Sequence, residues 1–194
     1  MARPETTLIL VRHGEIIRPT GTSNFDRAPL SERGEQQVAA LAHHWPAPRP
    51  EIVYASNLLR ALQTGRILAQ MLRVPLDFRS GLKEWTPDAR DLTPEEFLAL
   101  EARCWEDPGF VPPSGETLIE AQARIAGTLR DIARSRRGGV AAIVGHGALF
   151  SLFTADLKGV RPTRSHKEAV PFAGYAVVRY GQSFDLVSDF RAVV

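Results

Sequence analysis

Short runs of Val, Ile and Leu alternate along this chain with longer segments whose apolar residues recur at helical spacing. The run Thr7–Val11 precedes the helical pattern "LSERGEQQVAALAHHW", and the runs "EIVYAS" and "VAAIVG" precede further helical patterns. This alternation is typical of βαβ units, in which helices cover both faces of a mainly parallel sheet. The pattern predicts an α/β fold, a three-layer αβα sandwich around one central sheet.

Capping residues and turn residues mark the boundaries of several elements. Thr93 with Glu96, and Thr117 with Glu120, predict two capping boxes at helix starts, and Gly138 is expected to end the second of these helices. A third parallel strand is predicted at "VPLDFRS". The closing segments "YAVVRY" and "SFDLVSDF" predict an antiparallel hairpin at the edge of the sheet.

Composition narrows the class of protein. The chain has 194 residues, 44% hydrophobic and 24% charged, which predicts a single domain over residues 1–194. Its net charge is +2, and its basic residues are scattered Arg, so we expect no nucleic-acid partner. The single cysteine, Cys104, excludes an internal disulfide and is expected to be buried. No apolar run has the length of a signal or membrane segment, so we expect no membrane association and a cytoplasmic location.

Two apolar strands each end on a histidine followed by glycine: His13 with Gly14, and His146 with Gly147. Ligands of open parallel sheets bind beyond the carboxyl ends of the strands, so both histidines are expected to line one pocket. Each glycine is expected to allow a sharp turn and a close approach of ligand to backbone N–H groups. For either histidine alone, a hydrogen-bonded residue at a strand end is the favoured interpretation, and it is the pair that indicates a pocket.

Two arginines are expected beside this predicted pocket. Arg12 precedes His13, and Arg60 falls early in the helix that follows "EIVYAS". Guanidinium groups bind phosphate through paired charge-assisted hydrogen bonds, and the combination therefore indicates a phosphate site. A solvated helix position is the alternative for Arg60.

These residues belong to motifs that resemble the histidine phosphatase superfamily, also called phosphoglycerate mutase-like. The motifs are "LVRHGE", "LSERGEQQ", "SNLLRALQT", "LKEW", "SGET" and "VGHG", and they follow the order of that family over nearly the whole chain. The resemblance implies the phosphoglycerate mutase-like form of the αβα sandwich.

The resemblance also implies a role for each site residue. His13 would be the nucleophile that accepts the phosphoryl group, and Arg12, Arg60 and His146 would bind and neutralise it, with Gly147 beside them. Glu84 would protonate the leaving oxygen and then activate water. Two arginines and a protonated His146 would supply the positive charge, so no metal and no other cofactor is expected.

Two departures from the family pattern affect the site. "TPDARDLTP" replaces the glycine-rich segment that follows the acid in many relatives, and Asp88 within it is the alternative to Glu84. An Asn that contacts phosphate in many relatives is missing near Pro19, and Ser23 or Asn24 could replace it.

Other polar residues are expected to be solvated or to have structural roles. Arg18 and Arg27 are expected to be solvated, with binding of further substrate anions as the alternative, and Glu116 is expected to organise a helix start. Gln63 and Thr64 are interpreted as helix packing. The remaining histidines, which are expected at the surface or at helix ends, are His43, His44 and His166.

Three functions stay open at this point. The first is a metal-independent phosphatase that hydrolyses a small phosphorylated metabolite through a phosphohistidine. The second is a cofactor-dependent phosphoglycerate mutase, and the third is a non-enzymatic phosphate-binding module. The sequence names no physiological substrate and leaves open a homodimer.

Overall fold

Six strands form one mixed sheet in the order β3-β2-β4-β1-β5-β6. The structure is a computed structural model that describes residues 4–22, 24–87 and 92–193. Strands β1, β2, β3 and β4 are parallel, and β5 and β6 form the antiparallel edge. The strands are β1 Thr6–Arg12, β2 Ile52–Ala55, β3 Leu76–Phe78, β4 Val140–Gly145, β5 Tyr175–Tyr180 and β6 Phe184–Arg191.

Helices cover both faces of this sheet. They are α1 Glu32–His43, α2 Leu59–Leu72, α3 Pro94–Glu106, α4 Leu118–Ser135, α5 Gly147–Leu157 and the short α6 Arg164–Glu168, with a 3-10 turn at Ser80–Leu82. Alternate residues of β1 enter two cores: Leu8 and Leu10 pack with α3, α4 and α5, whereas Ile9 and Val11 pack with α1 and α2. The predicted αβα sandwich is confirmed.

The element boundaries follow the local signals in most places. The capping boxes of Thr93 with Glu96 and of Thr117 with Glu120 are both formed, and the edge hairpin is antiparallel. The third parallel strand is only three residues long. Helix α4 ends at Ser135, before Gly138, and the sequence pattern gives no indication of α6.

Cys104 is buried in the core, as expected, and burial raises the pKa of its thiol. None of the helices in the part of the chain that the structure describes combines the length and the apolar character needed to cross a bilayer.

The glycine after His13 serves close packing and not a sharp turn, which corrects the expectation from sequence. Neither Gly14 nor Gly147 has a positive φ. A Cβ on Gly14 would lie 2.5 Å from the Gly34 carbonyl oxygen, and a Cβ on Gly34 would lie 2.0 Å from the Glu15 carbonyl oxygen. The first turn of α1 therefore packs directly on the backbone that carries His13.

Gly34→Ala is expected to destabilise the protein, because its methyl group must displace the backbone at Glu15. Overpacking of this kind costs about 1–3 kcal/mol, which urea denaturation measures. Gly127→Ala in α4 is the matched control, since its Cβ meets nothing within 4 Å. That variant should gain up to about 1 kcal/mol from helix propensity. Equal stability of the two variants would contradict this packing.

Candidate active site

The topology places two histidines side by side at the centre of the sheet. Strands β1 and β4 are neighbours in parallel register, with Arg12 opposite Gly145, so the next residues are His13 and His146. The His13 N–H donates to the Gly145 carbonyl at 3.0 Å. The two ring centroids are 5.2 Å apart, and 5% of His13 and none of His146 is exposed. The structure thus brings together residues that lie 133 positions apart (146 − 13).

Two hydrogen bonds define the tautomer of His13. Its Nδ1 lies 2.8 Å from the Gly14 carbonyl oxygen, which can only accept, so Nδ1 carries the proton. The Arg60 Nε donates to the His13 Nε2 at 3.2 Å, which requires a lone pair on Nε2. The ring is therefore neutral, with its basic nitrogen turned toward the guanidinium.

The electrostatic surroundings favour the same neutral form. Burial, followed by the nearby charges of Arg60 and Arg12, lowers the pKa of His13 well below its ordinary value. The neutral form of His13, with a free lone pair on Nε2, is therefore favoured at neutral pH, and this is the form that a nitrogen nucleophile requires.

Arg60 is part of this buried group and not a solvated helix residue. It lies in the first turn of α2, is 6% exposed, and its Nη1 donates to the Phe25 carbonyl at 2.6 Å. Burial lowers its pKa, and the charges of Glu84 and Asp26 oppose this shift. The guanidinium is held between His13 and the loop that follows β1.

Arg12 is fixed on the opposite side of the histidine pair. Its Nη1 donates to the Val170 carbonyl, and its Cζ lies 3.9 Å from the ring centroid of Phe172. A Cβ on Gly147 would lie 3.2 Å from this guanidinium, so the glycine lets Arg12 lie against the start of α5. Burial lowers the pKa of Arg12 to about 10, which leaves it charged at neutral pH, and its buried Nε has no hydrogen-bond partner among the described residues.

His146 is fully buried beside His13. Burial, followed by Arg60, His13 and Arg12, lowers its pKa well below the ordinary value, so the protonated His146 expected from the sequence needs an anion beside it. Its Nε2 is 2.8 Å from Ser56 Oγ, and its buried Nδ1 has no partner in the described part of the chain.

Glu84 is held by backbone N–H groups. Its Oε1 accepts from the Leu149 N–H at 2.9 Å and from Trp85 at 3.0 Å, and its Oε2 accepts from Ala148 at 3.2 Å. These donors fix the carboxylate at the N-terminus of α5.

These residues line one large cleft. Its volume is about 1120 Å³, and Arg12, His13, Arg60 and Glu84 all contribute to it, whereas His146 does not. Aromatic residues form much of its wall: Phe25, Trp85, Phe97 and Phe172. A buried carboxylate also faces it, that of Glu101, which pairs with Lys167 of α6.

The loop residues with open assignments separate into two groups. Arg18 is exposed and lines the cleft, whereas Arg27 is exposed and is not among the lining residues. Asn24 also lines the cleft, but its Oδ1 accepts from the Asp26 N–H at 3.0 Å and so closes a turn. Ser23 and Asp88 lie outside the described residues.

The sequence did not predict the contacts of several residues that support the site. Thr64 Oγ1 accepts from the Gly14 N–H at 3.2 Å, so it supports the backbone beside His13 and is more than helix packing. Glu116 directly precedes the N-cap Thr117, and its carboxylate also pairs with Arg124 on α4, a contact that the sequence did not predict. Ser56 and Phe172 gave no separate sequence signal, because their roles depend on contacts between distant segments.

Across residues 4–22, 24–87 and 92–193 there is no group of three or more His, Cys, Asp and Glu side chains arranged to hold a metal ion. Arg12 and Arg60 bring positive charge to His13, since both lower its pKa.

Comparison with known proteins agrees with this geometry. Residues 8–188 match the family model of the histidine phosphatase superfamily, branch 1. The uncharacterized phosphatase PhoE of Bacillus subtilis is 29% identical over 160 residues, which cover 81% of this chain and 80% of PhoE. The probable phosphoglycerate mutase GpmB of Yersinia enterocolitica is 26% identical over 196 residues, which cover 94% of this chain and 89% of that protein.

A solved structure shows the same fold. YhfR of Bacillus stearothermophilus superimposes with a TM-score of 0.78 at 25% identity, over 95% of this chain and 96% of that protein.

The two buried histidines are expected to make stability fall as the pH falls. Their folded pKa values lie below the unfolded value of about 6.5, so the unfolded chain binds more protons and acidification favours unfolding. Between about pH 7.5 and about pH 5, the free energy of unfolding should therefore fall by roughly 2 kcal/mol less in His13→Gln than in the parent protein. Urea denaturation at both pH values measures the two changes.

The control for this comparison is His43→Gln, since His43 is exposed at the end of α1. It should keep the pH dependence of the parent protein. An unchanged pH dependence in His13→Gln would mean that the pKa of His13 is the same in the folded and the unfolded chain, which would contradict the effect of burial.

Proposed function

Since this chain belongs to the histidine phosphatase superfamily, we propose that it hydrolyses small phosphomonoesters through a phosphohistidine formed on His13, without a metal ion. The observation that carries the proposal is the neutral His13, whose Nε2 lone pair lies 3.2 Å from the buried Arg60 in a cleft that the half-buried Arg12 also lines. Phosphoryl transfer needs an in-line nucleophile and donors that neutralise the equatorial oxygens, and this group supplies both.

In the first step, the His13 Nε2 attacks phosphorus and the bond to the leaving oxygen breaks. The Arg60 Nε–H, which occupies the Nε2 lone pair here, must move to a phosphate oxygen before attack. Arg12 Nε and His146 Nδ1 are buried atoms without a partner among the described residues, and both are suited to bind the same group.

Ser56 explains how His146 can act as a donor. Its Oγ accepts from the Leu58 N–H at 3.3 Å, so its own hydrogen is free for the His146 Nε2. The proton of the imidazole then resides on Nδ1, the unpartnered atom.

Glu84 serves both steps of the proposed reaction. The phosphate dianion opposes the carboxylate charge, so Glu84 takes up a proton and then donates it to the departing alkoxide. In the second step, Glu84 accepts a proton from water as the water oxygen attacks phosphorus and the phosphorus–nitrogen bond breaks. The His13 Nε2 regains its lone pair, and phosphate leaves.

The cleft favours a substrate larger than phosphate itself. Its volume of about 1120 Å³ leaves space for an organic group beside the aromatic wall. We propose a small phosphorylated metabolite as substrate and, because the one cysteine is buried and unpaired, a reducing compartment such as the cytoplasm.

Phosphoglycerate mutase activity is the second candidate, because GpmB is among the similar proteins. A mutase uses the same phosphohistidine but returns the phosphoryl group to a sugar-acid hydroxyl, so water must be a poor acceptor. Product analysis with and without 2,3-bisphosphoglycerate distinguishes the two activities.

Trapping the covalent intermediate tests the proposal. With an aryl phosphate in EDTA, rapid quench at high pH and mass spectrometry should find phosphate on His13, since the phosphorus–nitrogen bond is stable in base and labile in acid. His13→Ala should lose both the label and the activity. No phosphoprotein under turnover, together with more than about a tenth of the activity in His13→Ala, would refute the nucleophile assignment.

A further inference from the structure

We propose that Arg124 is a positioning residue that holds the Glu84 segment in place for its work on the leaving group. The inference rests on the proposed function and adds a residue that lines the same cleft and acts through Glu84. Arg124 lies in the second turn of α4, about two turns away in sequence from the "SGET" motif, and its side chain reaches back to the segment before Glu84.

One nitrogen of the guanidinium binds the backbone of the residues that precede Glu84. The Arg124 Nη1 donates to the Gly81 carbonyl at 2.7 Å and to the Lys83 carbonyl at 2.9 Å. Lys83 directly precedes Glu84, so the peptide unit that begins Glu84 is fixed to α4.

The other two nitrogens of the guanidinium are connected, through Glu116, to the residue that follows Glu84. Arg124 Nε donates to the Glu116 Oε2 at 3.0 Å, and Nη2 pairs with Oε1. The Glu116 carbonyl in turn accepts from the indole Nε1 of Trp85 at 2.9 Å. Both chain neighbours of Glu84 are therefore connected to one guanidinium.

Close packing beneath this network leaves little room for adjustment. A Cβ on Gly81 would lie 2.1 Å from Thr128 Oγ1, and that hydroxyl donates to the Arg124 carbonyl at 2.8 Å. The 3-10 turn thus lies directly on α4, while the Glu84 carboxylate is bound by the N-terminus of α5. The acid is held between two helices, by its backbone on α4 and by its carboxylate on α5.

Lysine cannot replace this arrangement. The guanidinium donates in two directions at once, to two carbonyls and to a carboxylate, whereas an ammonium group is a point charge on a flexible stem. Displacements of about 1 Å in catalytic groups cost up to about a hundredfold in rate. Loss of Arg124 should therefore affect the step in which Glu84 takes part.

The test compares substrates with poor and good leaving groups, because only the poor ones need a proton from Glu84. The value of kcat/KM covers the steps up to departure of the alcohol. For Arg124→Met and Arg124→Lys we expect kcat/KM to fall about thirtyfold or more for an alkyl phosphate and less than about threefold for 4-nitrophenyl phosphate. The matched control is Arg130→Met, an exposed arginine on the same helix, which should leave both values unchanged.

A double-mutant cycle separates positioning from general structural damage. In the Glu84→Gln background, Arg124→Lys should cost less than about threefold more with the alkyl phosphate, because the group that Arg124 positions is already lost. Arg124→Lys keeps the positive charge beside Glu116, so it remains usable if Arg124→Met does not fold.

Three results would overturn the inference. Equal losses for alkyl and aryl phosphates would indicate a structural role, additive losses in the Glu84→Gln background would indicate independent action, and a rise in KM alone would indicate direct substrate binding. An inactive parent protein that forms no phosphohistidine refutes the proposed function instead, and the two failures are therefore distinguishable.

Discussion

The hydrogen bond from the Arg60 Nε to the His13 Nε2 organises the site. It exists only because the Gly14 carbonyl holds the ring proton on Nδ1 and because burial and the two arginines keep His13 uncharged. A protonated imidazole would present a second positive charge to Arg60 and lose its acceptor. The fold therefore maintains a basic nitrogen beside Arg60, and in the proposed reaction the Arg60 Nε–H passes from this nitrogen to a phosphate oxygen.

The charge of Glu84 acts on both arginines of the site. Glu84 is bound by N–H groups at the start of α5, and its charge raises the pKa of Arg12 and of Arg60 against the effect of burial. The carboxylate thus favours the charged form of both arginines, and the proposed reaction assigns to it the proton transfer to the leaving group. Each member of the site supports the charge state of the others.

The sequence predicted the residues of the site better than their surroundings. The tendency of ligands to bind beyond the carboxyl ends of parallel strands predicted that His13 and His146 lie together, because it requires only that their two strands are neighbours in the sheet. It did not predict why Gly14 is glycine, since the reason is the approach of Gly34 from α1, a contact between segments. The lowered pKa of His146 was not predicted either, because the spacing of motifs does not show that its side chain is fully buried.

Nitrogen NMR of ¹⁵N-labelled histidine in the parent protein, with His13 assigned by substitution, tests the central claim most directly. The account predicts that at neutral pH His13 carries its proton on Nδ1 alone, with an Nε2 resonance typical of an unprotonated ring nitrogen, and that this form persists well below the pH at which exposed histidines titrate. A protonated ring at neutral pH, or a proton on Nε2, would contradict it.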